Sequence, residues 1–176
     1  MDNDRPEVSE FGSVDPAPPS AASSVATLRK TICDEDEKMF QRMRALFALR
    51  NIGGEESVDA LAEAFGSSSA LLKHEIAYVL GQMQDDHAVP YLIERLEDLE
   101  EDVMVRHEAA EALGAIGAEE SLAMLEKFCD DDKREVAETC RLAVSRLRWK
   151  KAREEERHLD DNMYRSVRGQ LFIRFN

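Results

Sequence analysis

The feature that most limits what this chain can fold into is a segment written twice. LLKHEIAYVLGQM, from Leu71 to Met83, and MVRHEAAEALGAI, from Met104 to Ile116, each lead from an apolar pair and a basic residue into His-Glu and close on Leu-Gly. His74 and His107 are 33 residues apart, and Glu75 with Glu108 and Leu80-Gly81 with Leu113-Gly114 keep that offset. Self-similarity at such a period marks a stacked-repeat architecture. Adjacent residues on a helix leave the axis about 100° apart, so each His and its Glu use neighbouring faces. If the two segments are equivalent helices of stacked units, their axes lie roughly 8–10 Å apart and both pairs reach one surface. Two imidazoles and two carboxylates converging in this way are ligands for a transition metal.

The same period runs through the whole body. From Val25 onward, apolar residues recur at helical spacing, and the helices pair off: Ala26–Cys33 with Glu37–Gly53, Glu55–Phe65 with Ala70–Met83, His87–Leu99 with Val103–Gly117, and Glu119–Phe128 with Arg134–Trp149. The second helices align on Leu49, Leu80, Leu113 and Val144, at steps of 31, 33 and 31 residues. With no strand pattern and glycine or acidic turns between units, this is an all-α chain, an α-solenoid of about four helical hairpins. The units resemble short HEAT repeats. Pro90 falls near the start of a first helix, where its missing N–H costs nothing. Opposite the two His-Glu pairs stand Met43-Arg44 in the first unit and Glu138-Thr139 in the fourth, so the middle units are specialised.

Residues 1–24 are rich in Pro, Ser and acid, without apolar periodicity, and are expected to be a disordered arm. Residues 25–149 form the repeat domain, and 150–176 a charged helical tail with a divergent end, SVRGQLFIRFN. The charged start leads into no apolar core of a signal peptide, and no run of about 20 apolar residues exists to span a membrane. Three cysteines without a CxxC pair fit packed thiols in a reducing, cytoplasmic setting. A formal charge of −14 argues against nucleic acid and for a cationic partner. His87 and His158 have no Glu in register and are not ligand candidates. Phe47, Phe65, Phe128 and Trp149 sit among aliphatics at helical spacing and are expected in the core.

KHEIAYVLGQMQ and MVRHEAAEALGAIG, with RALFALRNIGGEE before and EVAETCRLAV after, resemble the deoxyhypusine hydroxylase family of HEAT-repeat monooxygenases over roughly Arg42 to Leu147. SVDPAPPS, Ser13 to Ser20, is similar to the family's linker between two four-repeat halves. The resemblance implies a di-iron site, Fe²⁺ with molecular oxygen as co-substrate, that hydroxylates the deoxyhypusine side chain of translation initiation factor 5A to hypusine. It implies His74, Glu75, His107 and Glu108 as metal ligands, with Glu75 and Glu108 catalytic, and Gly81, Met104, Glu111 and Gly114 at the substrate, where Glu111 holds an ammonium. This chain resembles one half, so a second copy or a separate first half is expected to complete the site. The alternative is a metal-free HEAT interaction module that binds a basic partner through an acidic face.

Overall fold

The computed structural model describes Ser20 and residues 24–173, with side chains through 157. The expected disordered arm and the last residues of the divergent end therefore lie almost wholly outside the described residues. Among the described residues eight α-helices follow one another: α1 Val25–Cys33, α2 Met39–Ile52, α3 Glu55–Glu63, α4 Ala70–Met83, α5 Val89–Glu97, α6 Val103–Ile116, α7 Leu122–Lys127 and α8 Arg134–Ile173. No strand occurs among the described residues. The even-numbered helices stack in order, α2 on α4, α4 on α6 and α6 on α8, and the odd-numbered ones pack against them.

Local chemistry sets the boundaries. Ser69 and Asp102 cap α4 and α6, accepting from the amides of Leu72 at 3.3 Å and Met104 at 2.8 Å. Gly117 ends α6 in the left-handed region, φ 75°, which a glycine enters without a Cβ clash. Three first helices begin or end in a short 3₁₀ turn, Ala64–Gly66, Asp86–Ala88 and Glu119–Ser121, so they are shorter than their apolar patterns. Pro90 lies in the first turn of α5. α8 runs unbroken from the fourth repeat into the tail, because nothing between Arg141 and Arg157 is a glycine, a proline or a C-cap.

The core is one continuous sheet of aliphatic contacts between helices. The aligned column Leu49, Leu80, Leu113 and Val144 is buried throughout, as is Ala45, Ile76, Ala109 and Cys140 one turn earlier. Burial of the Cys140 thiol pushes it up to about 12, and Cys33, Cys129 and Cys140 are all free. Phe47, Phe65 and Phe128 are buried, but Trp149 is 62% exposed, against the expectation from its spacing. Among the described residues no helix covers that part of α8, and its ring carries the Arg153 guanidinium 5.2 Å from the centroid.

Buried arginines tie the pairs together. Arg42 and Arg106 are each 2% exposed, and each donates its Nε–H to a carbonyl ten residues earlier, at the end of the first helix of its own pair: Ile32 at 2.8 Å and Leu96 at 3.0 Å. Arg106 then reaches into the next unit, where NH2 meets Asp131 Oδ2 at 2.6 Å. Burial alone would raise the Asp131 carboxyl, but the Arg106 hydrogen bond and the Lys133 amide outweigh it and hold it below the usual range.

Candidate metal centre

The Leu-Gly that closes both copies of the repeated segment has a packing reason. A Cβ on Gly81 would stand 2.9 Å from the Ala112 Cα, and one on Gly114 would stand 2.8 Å from the Ala143 Cβ. Glycine thus lets α4 approach α6, and α6 approach α8, more closely than side chains allow. At the same register α2 carries Arg50, whose guanidinium lies over Phe47 and donates to Gln82 Oε1 at 3.0 Å. α2 accordingly packs less extensively on α4 than α4 does on α6.

Close approach brings the two His-Glu pairs into contact. His74 Nε2 lies 3.2 Å from Glu108 Oε2, and His74 Nδ1 lies 3.4 Å from Glu75 Oε1. His107 Nε2 lies 3.9 Å from Glu111 Oε2, one turn further along α6. His107, Glu108 and Glu111 each offer a ligand atom, all within 4.8 Å of one another. Glu108 is the common member: it sits between His74 of the preceding repeat and the imidazole and carboxylate of its own helix.

Depth differs across the cluster. Glu108 is 6% exposed, while the side chains of Glu75 and Glu111 are 27% and 61% exposed. Burial pushes the Glu108 carboxyl above its usual range; His74 and His107 pull it down, and Glu111 and Glu75 push it further up. A desolvated Glu108, with His107 and Glu111 offering ligand atoms within 4.8 Å and His74 at 3.2 Å, is an unfavourable place for bare negative charge and a favourable one for a cation. The donor set therefore fits a divalent transition metal.

The remaining expected residues divide. Gly81, with Tyr78, Glu108 and Glu111, lines a groove of about 190 Å³ between α4 and α6. Gly114 lines a second groove of about 350 Å³ between α6 and α8, with His107, Glu111, Thr139, Leu142 and Arg146. Met104 is 48% exposed on the first turn of α6, at the register that Leu71, 58% exposed, holds on α4. Glu111, expected beside the metal at the substrate, stands within the donor group itself.

Sequence reasoning missed Thr139, whose Oγ1 lies 2.7 Å from His107 Nδ1. Its signal was present, since Thr139 occupies in the fourth repeat the register of Glu75 and Glu108. The basic residues before the pairs point elsewhere: Lys73 pairs with Glu101, and Arg106 with Asp131. His87 lies outside the cluster as expected, bonded through Nε2 to Asp59 Oδ1 at 2.7 Å.

The HEAT repeats family matches residues 63–145, and the PBS lyase HEAT-like repeat matches residues 41–67. A deoxyhypusine hydroxylase of Drosophila pseudoobscura pseudoobscura is 48% identical over 145 residues, 82% of this chain and 48% of that protein. One of Xenopus laevis is 52% identical over 141 residues, 80% of this chain and 46% of that protein. The solved structure of human deoxyhypusine hydroxylase in complex with glycerol superposes with a TM-score of 0.75 at 48% identity, covering 81% of this chain and 50% of that one. Over its repeats, this chain belongs to the deoxyhypusine hydroxylase family. The chain spans about half the length of the curated deoxyhypusine hydroxylases it matches. Among the described residues no helix is long and apolar enough to cross a membrane.

Proposed function

We propose that this chain supplies one half of the iron centre of a deoxyhypusine hydroxylase, the enzyme that hydroxylates the deoxyhypusine side chain of translation initiation factor 5A to hypusine. The observation that carries this is the meeting of two His-Glu pairs from consecutive repeats around one buried carboxylate, Glu108, in a chain about half identical to such enzymes over four-fifths of its length. His74, His107, Glu75 and Glu108 hold Fe²⁺, a metal suited to mixed imidazole and carboxylate donors with open positions. When bound, the iron supplies the redox chemistry that activates molecular oxygen. Di-iron carboxylate sites commonly draw on about six protein ligands, more than these four. A second copy, or a separate first half, completes the set, and a symmetric pair would bring the same face of each partner together.

The chain's own residues also fit the substrate. Deoxyhypusine is a long aliphatic stem carrying protonated amines. Glu111 is the most exposed acid of the cluster and opens onto both grooves, so it is placed to accept an ammonium while the deeper Glu108 stays with the metal. The stem runs along the exposed Met104 and the grooves that Gly81, Gly114 and Leu142 line.

The experiment pairs iron content with binding of the deoxyhypusine-bearing factor, measured against the unmodified lysine form. Glu111→Gln is expected to keep its iron and lose roughly ten- to a hundredfold in affinity for the modified factor, the worth of one charge-assisted hydrogen bond. Loss of iron would move Glu111 into the ligand set. Unchanged binding of both factor forms by a protein that loads no iron would favour the metal-free interaction module.

A further inference from the structure

The cross-repeat contact that builds the site is made twice. His74 of the second repeat reaches forward to Glu108 at 3.2 Å, and His107 of the third reaches forward to Thr139 at 2.7 Å. Glu108 and Thr139 occupy the same register on successive helices. The geometry of the step is shared, but its chemistry is not: the first ends on a carboxylate through Nε2, the second on a hydroxyl through Nδ1.

A neutral imidazole carries one N–H and one lone pair, and the bond made by one nitrogen decides the role of the other. Either atom can donate across the 2.7 Å contact; in the tautomer whose Nδ1–H donates to Thr139 Oγ1, the lone pair of His107 stays on Nε2. That nitrogen faces Glu111 Oε2, 3.9 Å away, inside the donor group. Thr139 itself is 8% exposed on α8, and its β-branched side chain has few rotamers, so it is a stiff partner. Leu142 and Ala143, which line the same groove, offer His107 Nδ1 no hydrogen-bonding side chain in place of Thr139.

We propose that Thr139 is a positioning residue for the metal centre: it fixes the ring and the tautomer of His107 so that Nε2 points, unprotonated, at the cation. This rests on the assignment of His107 as a metal ligand. It also accounts for the fourth repeat, which lacks a His-Glu pair but contributes a hydroxyl where the pair's carboxylate would stand.

The test uses the full chain, its parent form and three variants, Thr139→Val, Thr139→Ser and His107→Ala. Two quantities are read: the His107 tautomer in the metal-free protein, by long-range ¹⁵N–¹H correlation, and the affinity for added Co²⁺, an air-stable probe of the site. Loss of such an outer partner typically costs 10- to 100-fold in metal affinity. Thr139→Val is expected to bind Co²⁺ weaker by about that factor and to lose the Nδ1–H form, while Thr139→Ser keeps both, which separates the hydroxyl from mere packing. If His107→Ala abolishes binding while Thr139→Val matches the parent in affinity and tautomer, the proposal is overturned and the ligand assignment stands. A parent that binds no Co²⁺, or binding that His107→Ala leaves unchanged, overturns both.

Discussion

The second and third repeats carry the same motif on helices of equal length, yet its two carboxylates meet different surroundings. Glu108 on α6 is almost fully buried, and Glu75 on α4 keeps about a quarter of its side-chain surface. The neighbours differ accordingly: α6 lies between two helices it approaches through glycine contacts, at Gly81 on α4 and at its own Gly114, whereas α4 has such a contact on one side only and faces Arg50 on the other. A dipeptide in a solenoid takes its chemistry from the repeats beside it. Both repeats carry the pair, and stacking buries the carboxylate of one of them.

The two helices also differ in what anchors them. Asp131→Ala would leave the Arg106 guanidinium buried without its carboxylate, and unfolding by denaturant should show a loss of about 3–5 kcal/mol. Removing the base of the α4 anchor, Lys73→Met, should cost less, about 1–2 kcal/mol, because Glu101 keeps Arg95 at 3.7 Å and the Asp102 amide at 2.8 Å. Because the folded-state pKa of Asp131 is depressed, its contribution is complete above the unfolded value of about 3.9 and is lost as pH falls through the folded one. Stability of the parent should therefore fall in acid more steeply than that of Asp131→Ala.

Unequal depth sharpens into an unequal effect on metal. Glu108→Gln should weaken Fe²⁺ binding by at least ~100-fold, beyond the range of an outer partner, and Glu75→Gln should weaken it less. Stability should move the other way. A carboxyl whose folded pKa is raised destabilises the metal-free protein as pH rises through and above its unfolded value, so metal-free Glu108→Gln should be at least as stable as the parent at neutral pH. Calorimetry with and without metal reads both.

A smaller effect is expected where the helices touch. Gly81→Ala drives a methyl onto the Ala112 backbone and Gly114→Ala drives one onto the Ala143 side chain, overpacking that costs about 1–3 kcal/mol before the helix-forming gain of alanine is counted. Gly81→Ala should be the worse of the two, since backbone yields less than a methyl, and it should loosen His74 from Glu108 while leaving His107 on Thr139.

Most of the fold was legible in the sequence, because a 31–33-residue period and buried columns such as Leu49, Leu80, Leu113 and Val144 survive any local ambiguity. Less legible were features set by what lies across a gap. Trp149 has a core pattern, but helical spacing does not show that no described helix lies over that part of α8. Gly81 and Gly114 were associated with the substrate, while their contacts show them first as spacers between helices. Thr139 was visible as the residue in place of a Glu, but its bond to His107 depends on the distance between two helices, which periodicity does not encode.

On the proposed assignment the two repeats share one metal centre rather than holding one site each. Anaerobic Fe²⁺ loading of the parent, His74→Ala and His107→Ala, counted as iron per chain with circular dichroism to check the helices, tests this directly. A shared centre requires about one iron per chain in the parent and the loss of nearly all of it in either single variant, because His74 and His107 would then serve the same ion beside Glu108. Independent losses, each variant shedding part of the iron and only the double change removing all of it, would contradict the shared centre.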